Sequence, residues 1–105
     1  MAIMEISVVP VGTKSPSVSP FVAECVKIVE QQGLKYEVTS MGTEVEGKVE
    51  ELLSLAVQMH RVPFTKGAER VLTTIRIDER RDKELRIAGK KEAVLKRLRG
   101  MRVGQ

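Results

Sequence analysis

The chain has 105 residues, a net charge of +4 and only 3 % aromatic content, a length that suits one modest core and not two. Its aromatic residues are Phe21, Tyr36 and Phe64, so the core must be aliphatic, and a reader that stacks RNA bases on sheet aromatics has no platform here. A single cysteine, Cys25, and a single histidine, His60, exclude an intrachain disulfide framework and a cysteine- or histidine-rich metal site within one subunit.

Ala2 to Val11 alternates, with Met4, Ile6 and Val8 on one side and Ile3, Glu5, Ser7 and Val9 on the other. This predicts a strand with one apolar and one mixed face. Pro10 and Gly12 end it, and Gly12-Thr13 leads into the hydroxyl cluster Thr13-Lys14-Ser15-Pro16-Ser17-Val18-Ser19. Ser19 as N-cap and Pro20 at the first helical position start a helix. Its stripe is Phe21, Val22, Cys25, Val26, Ile28 and Val29, with Gly33 as its stop. Cys25 lies in that stripe and reads as a small core residue, not a nucleophile, because no charged partner at helical spacing would lower its pKa.

Leu34 to Met41 reads as a second strand. Gly42 breaks it and Thr43-Glu44-Val45-Glu46 resumes in extended form, a hairpin. Lys48 to about His60 predicts a second helix, with Val49, Leu52, Leu53, Ala56 and Met59 on one face and Leu55 and Val57 off it, a pattern that fits burial on more than one side. Pro63 should end or kink it. His60, on its last turn, reads as a dipole partner or a hydrogen-bonded surface group. Arg70 to Asp78 is a β-branched strand, with Val71, Thr73, Ile75 and Ile77 facing one way. A third helix spans Lys83 to Arg99, about residues 83–99, weakened by Gly89 and stopped by Gly100.

The order β-α-β-β-α-β-α is that of an α+β, ferredoxin-like βαββαβ sandwich with an added C-terminal helix, in one domain covering residues 1–105. Two helices cover one face of a four-stranded sheet. The half-apolar other face implies a homo-oligomer assembled through sheet faces. Charge is unevenly placed: residues 1–79 hold eight Lys/Arg against eleven Asp/Glu, and residues 80–105 hold ten against three. The basic tail suits a solvated helix face or the acidic body of another subunit before it suits nucleic acid. No apolar run approaches membrane-spanning length and the start lacks a basic n-region, so the expectation is a soluble, cytoplasmic protein without a membrane partner.

The two Gly-Thr pairs, Gly12-Thr13 and Gly42-Thr43, each follow a strand. They offer close backbone approach and hydroxyls with few charges, which suits an uncharged or weakly charged small ligand. Turns with a capping hydroxyl are the alternative reading. Here the segments resemble the small thiamine-binding-protein family. Val9-Pro10-Val11-Gly12-Thr13 followed by Ser17, Ser19 and Phe21-Val22-Ala23 is similar to its first motif. Gly42-Thr43-Glu44-Val45-Glu46-Gly47 is similar to the second. His60 and Gly67, then Arg70-Val71 with Thr73, Ile75 and Arg76, are similar to the third. The resemblance runs from roughly Ile3 to Lys83. It implies the same fold, a dimer or homotetramer, and non-catalytic binding of thiamine or its hydroxymethylpyrimidine moiety. Ligand contact is carried over onto Thr13, Ser17, Ser19, Gly42, Thr43 and Glu46, and onto Thr73. Thiazolium is best held by aromatic faces, of which this chain has few, which favours the pyrimidine as the recognised half. Glu46 could pair with the aminopyrimidine or instead serve as a cap near the second helix.

No catalytic residues, metal ligands or cofactor beyond that ligand are expected, since neither nucleophile-base spacing nor a phosphate loop occurs. Glu44 and Glu46, at i, i+2 on one strand face, could perturb one another's titration but fit a solvated face as well. The competing reading is an oligomeric regulatory or assembly module with no small-molecule ligand. Nucleic-acid binding through the tail ranks last.

Overall fold

The structure, a computed structural model, describes residues 1–12 and 19–103. Seven elements follow one another: β1 (Ala2–Pro10), α1 (Ser19–Gln31), β2 (Tyr36–Val38), β3 (Thr43–Gly47), α2 (Val49–Thr65), β4 (Val71–Glu79) and α3 (Ile87–Val103). The strands form one antiparallel sheet in the order β2-β3-β1-β4. This is the ferredoxin-like arrangement expected from the element order, with β1 and β3 central and α1 and α2 on one face.

The alternation of β1 decides the core. Ala2, Met4, Ile6 and Val8 lie under the helices and join Val45 of β3, Cys25 and Val29 of α1, and Leu52, Leu55, Ala56, Met59 and Val62 of α2. Every one of these side chains is aliphatic or sulfur-containing, as the lack of aromatics requires. α1 ends at Gln31, just before Gly33, whose φ of +72° takes the left-handed conformation that L side chains rarely adopt.

Three expectations need correction. Pro63 does not end α2, which runs on to Thr65 with Pro63 buried inside it. A proline in a helix leaves the carbonyl four residues earlier without its N–H partner. Here that carbonyl belongs to Met59, and the Cys25 thiol donates to it at 3.5 Å. The buried face of α2 takes in Leu55, in line with burial beyond the main face, but leaves out Leu53, which is exposed against expectation. Finally, α3 starts at Ile87 and passes through Gly100. A glycine costs a helix interior only about 1 kcal/mol, so it does not stop one by itself.

The hairpin differs as well. β2 keeps only Tyr36–Val38, and Thr39 to Gly42 form a turn built on a threonine side chain. The Gly42 carbonyl accepts from the Thr39 N–H at 2.8 Å and from the Thr39 hydroxyl at 3.0 Å, while Met41 N–H donates to that hydroxyl at 3.3 Å.

α3 stands away from the body. Leu85 is buried just before it, but Val94, Leu95, Leu98 and Met101 are exposed. The radius of gyration is 16.2 Å and the long axis 54 Å, against about 13 Å of gyration radius for a compact domain of this size. Among the described residues no helix is long and apolar enough to cross a membrane.

Candidate functional site

A mismatch in strand length makes the hollow. β1 pairs with β4 over its whole length, from Ala2 opposite Glu79 to Pro10 opposite Val71. With β3 it pairs only from Ala2 opposite Gly47 to Ile6 opposite Thr43. Ser7 to Pro10 therefore have a sheet neighbour on one side alone. Where β3 is missing, a space of about 300 Å³ opens between β1, the β2–β3 turn and α1.

Five parts of the chain line it, the first residue of β3 among them. β1 gives Ile6, Ser7, Val8 and Val9; the turn gives Thr39, Ser40, Met41 and Gly42, followed by Thr43; α1 gives Val22 and Cys25; α2 gives Met59. No Lys, Arg, Asp or Glu is among these lining residues. The walls are apolar, with hydroxyls from Ser7, Thr39, Ser40 and Thr43. Backbone polarity adds to them. Val11 N–H donates to the Arg70 carbonyl and Arg80 N–H to the Met1 carbonyl. By antiparallel alternation the odd residues of β1 therefore bond β4, and the N–H and C=O of Val8 are directed to the hollow's side.

Gly42 sets the depth of the turn. A Cβ there would lie 2.7 Å from the Ile6 carbonyl oxygen, closer than side chains tolerate, so the turn approaches β1 only with glycine at this position. Thr43 follows it, 3 % exposed, on the core side of β3. Cys25 at the floor is no nucleophile: burial first, and then the negative charge of Glu24, push its thiol up to about 11.

The expected site residues divide. Gly42 and Thr43 lie in the hollow. Ser19 opens α1, the helix that supplies Val22 and Cys25. Thr13 and Ser17 lie outside the described residues. Glu46 lies elsewhere: it is on the opposite sheet face, 4 % exposed. Its Oε1 accepts the Ile87 N–H at 2.7 Å, and its Oε2 is 3.8 Å from Arg86 Nη1. It is a cap, but of α3; at the start of α2 the Lys48 N–H donates instead to Glu51 at 3.2 Å. Thr73 is on the far side of β1, opposite Val8, with its hydroxyl 2.6 Å from His60 Nδ1. Ser7, Thr39 and Ser40 are lining residues the sequence reading did not single out. The run Thr39-Ser40-Met41-Gly42, dense in turn-forming types, was the available signal for two of them. Among the described residues no group of three or more His, Cys, Asp or Glu is placed to hold a metal ion.

The sequence model of the family described as "Thiamine-binding protein" matches residues 4–95. The UPF0045 protein YqgV of Bacillus subtilis is 43 % identical over 102 residues, covering 93 % of this chain and 98 % of that one. The crystal structure of a hypothetical protein from Methanocaldococcus jannaschii superposes with a TM-score of 0.80 at 34 % identity, over 89 % of this chain and 94 % of that one. A Thermotoga maritima structure, for whose protein a part in thiamine biosynthesis or salvage has been suggested, gives a TM-score of 0.73 over 89 % and 97 % of the two chains. Its identity is 24 %, so that likeness is one of fold.

Proposed function

This chain belongs to the thiamine-binding protein family, and on that premise we propose that it binds thiamine by its hydroxymethylpyrimidine half, without transforming it, in the hollow beside Val8. The observation that carries the reading is the uncharged, hydroxyl-lined space left where β3 stops short of β1. An aminopyrimidine presents an amino donor beside a ring-nitrogen acceptor. The N–H and C=O of one strand residue, Val8, offer the complementary pair, and the nearby hydroxyls serve either role. The apolar remainder of the wall accepts the ring faces.

Gly42 and Thr43 are the described contacts in this reading, and Thr13, Ser17 and Ser19 are assigned to it by motif position. Glu46 and Thr73, each engaged by a protein partner, hold the frame and not the ligand. Calorimetry tests the assignment. Thr43→Val keeps the shape and removes a hydroxyl, a loss of about 0.5–1.5 kcal/mol, or roughly threefold to tenfold in affinity. Glu46→Gln should leave affinity within about twofold. No heat with thiamine or hydroxymethylpyrimidine at millimolar concentration rejects the ligand; binding unaffected by Thr43→Val rejects the site.

A second property rests on α3. Its Val94, Leu98 and Met101 fall on one helical stripe, exposed and flanked by lysines and arginines. The outer face of the sheet carries Glu37, Glu44 and Glu5 directly opposite one another across three strands. We assign α3 to assembly: the helix of one copy against the acidic outer face of another, in a homo-oligomer. Light scattering of the full chain and of a form stopped after Arg86 checks it; equal masses for the two would remove the claim. Assembly without ligand binding would leave the protein a purely structural or regulatory module.

A further inference from the structure

Pro63 is fully buried inside α2 and brings no N–H to it. In an unbroken helix the N–H at position 63 would donate to the carbonyl of Met59, four residues earlier. That carbonyl therefore keeps an acceptor site that the interior of a regular helix uses up. Within the chain the site is taken by the Cys25 thiol at 3.5 Å. Burial pushes that thiol up to about 11, so at neutral pH the sulfur holds its proton and is the donor of the pair. A thiol is a weak donor, and a stronger one can take its place.

The side chain that reaches this carbonyl borders the hollow. Cys25 of α1 and Met59 of α2 line it on the helix side, across from Ile6, Ser7, Val8 and Val9 of β1. An exocyclic amino group carries two N–H donors. In the hydroxymethylpyrimidine reading the Val8 carbonyl takes one of them, while the Val8 N–H meets the neighbouring ring nitrogen. The second amino hydrogen then points away from the strand. Left unpaired against an apolar wall, it would carry its full desolvation penalty.

We propose that Pro63 is a positioning residue that sets the specificity of the hollow: by vacating the Met59 carbonyl it provides an acceptor for the second amino hydrogen of an aminopyrimidine, and the Cys25 thiol holds that acceptor until the ligand enters. The proposal rests on the hydroxymethylpyrimidine reading and adds what the hollow selects, a ring bearing an amino group over the same ring without it. Proline is costly in a helix interior, and α2 continues past it to Thr65, so Pro63 does not act as a stop. Its place four residues after Met59 aligns the missing N–H with the one α2 carbonyl that a thiol of α1 reaches.

Calorimetry with hydroxymethylpyrimidine, and with the analogue carrying hydrogen in place of its amino group, tests the proposal through the ratio of the two affinities. Pro63→Ala returns an N–H to the Met59 carbonyl. The preference for the amino compound should fall about threefold to tenfold, the worth of one hydrogen bond, while the analogue keeps its affinity within about twofold. Infrared spectroscopy reads the same bond in the unaltered chain, because Cys25 is its single thiol. The S–H stretching band should move to higher frequency when hydroxymethylpyrimidine binds and the thiol loses its acceptor, and should keep its position when the analogue binds. A preference unchanged by Pro63→Ala overturns the proposal and leaves hydroxymethylpyrimidine binding in place. Equal loss for both compounds overturns it too, and makes Pro63 a packing residue. An S–H band that responds alike to both compounds does the same, and it decides alone if Pro63→Ala fails to fold. No heat with either compound at millimolar concentration removes the ligand reading, and this proposal with it.

Discussion

On the helix side β1 presents Ala2, Met4, Ile6 and Val8, all buried; on the other side it presents Ile3, Glu5, Ser7 and Val9, of which only Ile3 is buried. The two faces belong to the same strands with the same twist and hydrogen bonds. They differ in what covers them. The inner face meets two amphipathic helices and forms a continuous aliphatic core. Among the described residues the outer face meets the start of α3, where Glu46, opposite Ile3, accepts the Ile87 N–H and Leu85 is buried. Beyond that point runs the row Glu37, Glu44, Glu5, which ends at Arg76 on β4. Glu37 is met by Lys91, and Glu5 by Arg76 at 3.6 Å. Like charges directly opposite in a sheet are destabilising, so this face is not tuned for the isolated subunit. The contrast teaches that strand alternation marks two faces, while the partner, not the alternation, decides which is a core.

The contrast can be broken most severely from the inner side. Leu52 is fully buried between α2 and the sheet, and Leu52→Ala should cost about 2–5 kcal/mol in a denaturant titration. A loss below about 1 kcal/mol would mean the core collapses onto the gap.

Glu46 is the next test, because it is a buried charge on the face that otherwise tolerates exposure. Glu46→Ala leaves the Ile87 N–H without its acceptor and should cost about 1–3 kcal/mol. The loss should be concentrated in α3, seen as faster amide exchange from Ile87 onward while β1 and β4 stay protected. Uniform loosening of the whole sheet would show that Glu46 supports the sheet and not the helix.

Glu44 sharpens the comparison in the opposite direction. Glu44→Lys places a positive charge between two glutamates and should stabilise the subunit by about 0.2–1 kcal/mol. Under the outer-face assembly proposed above, the same change should weaken self-association. A more stable and equally associated variant would separate the acidic row from assembly.

The smallest effect at neutral pH belongs to Cys25. Its folded value, about 11, is above the ordinary thiol value of 9.0, so the folded state holds the proton more tightly than the unfolded one. The contribution is fully present below about pH 9 and is lost as pH rises through about 11. Thiol-reagent labelling at pH 8 should therefore be slow in the native protein and rapid in denaturant.

Much of this was legible beforehand because it is local. Alternation in Ala2 to Pro10 and Val71 to Glu79 marked both long strands and their faces. Ser19-Pro20 and Gly33 bounded α1. Gly42-Thr43 marked the turn that walls the hollow. What was misread depends on residues far apart in the chain. The carbonyl that Pro63 leaves free is met by a thiol from another helix. The start of α3 is set by Glu46, 41 residues earlier. Ser7 read as one more residue of a mixed face, because only the register shows that β3 stops before reaching it. The place of Thr73 beside His60 was likewise not legible, because it depends on the pairing of β4 with β1.

The long β1–β4 ladder also orders events during synthesis. It joins residues 2–10 to residues 71–79, so β1 is completed only when the last strand of the sheet has been made. Pairing with β3, which ends at Gly47, reaches only as far as Ile6. Until residue 79 has cleared the ribosome, the far half of β1 has no sheet partner and its apolar face is open to other nascent chains. Closing so large a loop is slow compared with forming the helices between. The stretch from Ser7 to Pro10 is thus both the wall of the hollow in the finished protein and the segment longest in need of protection while it is made.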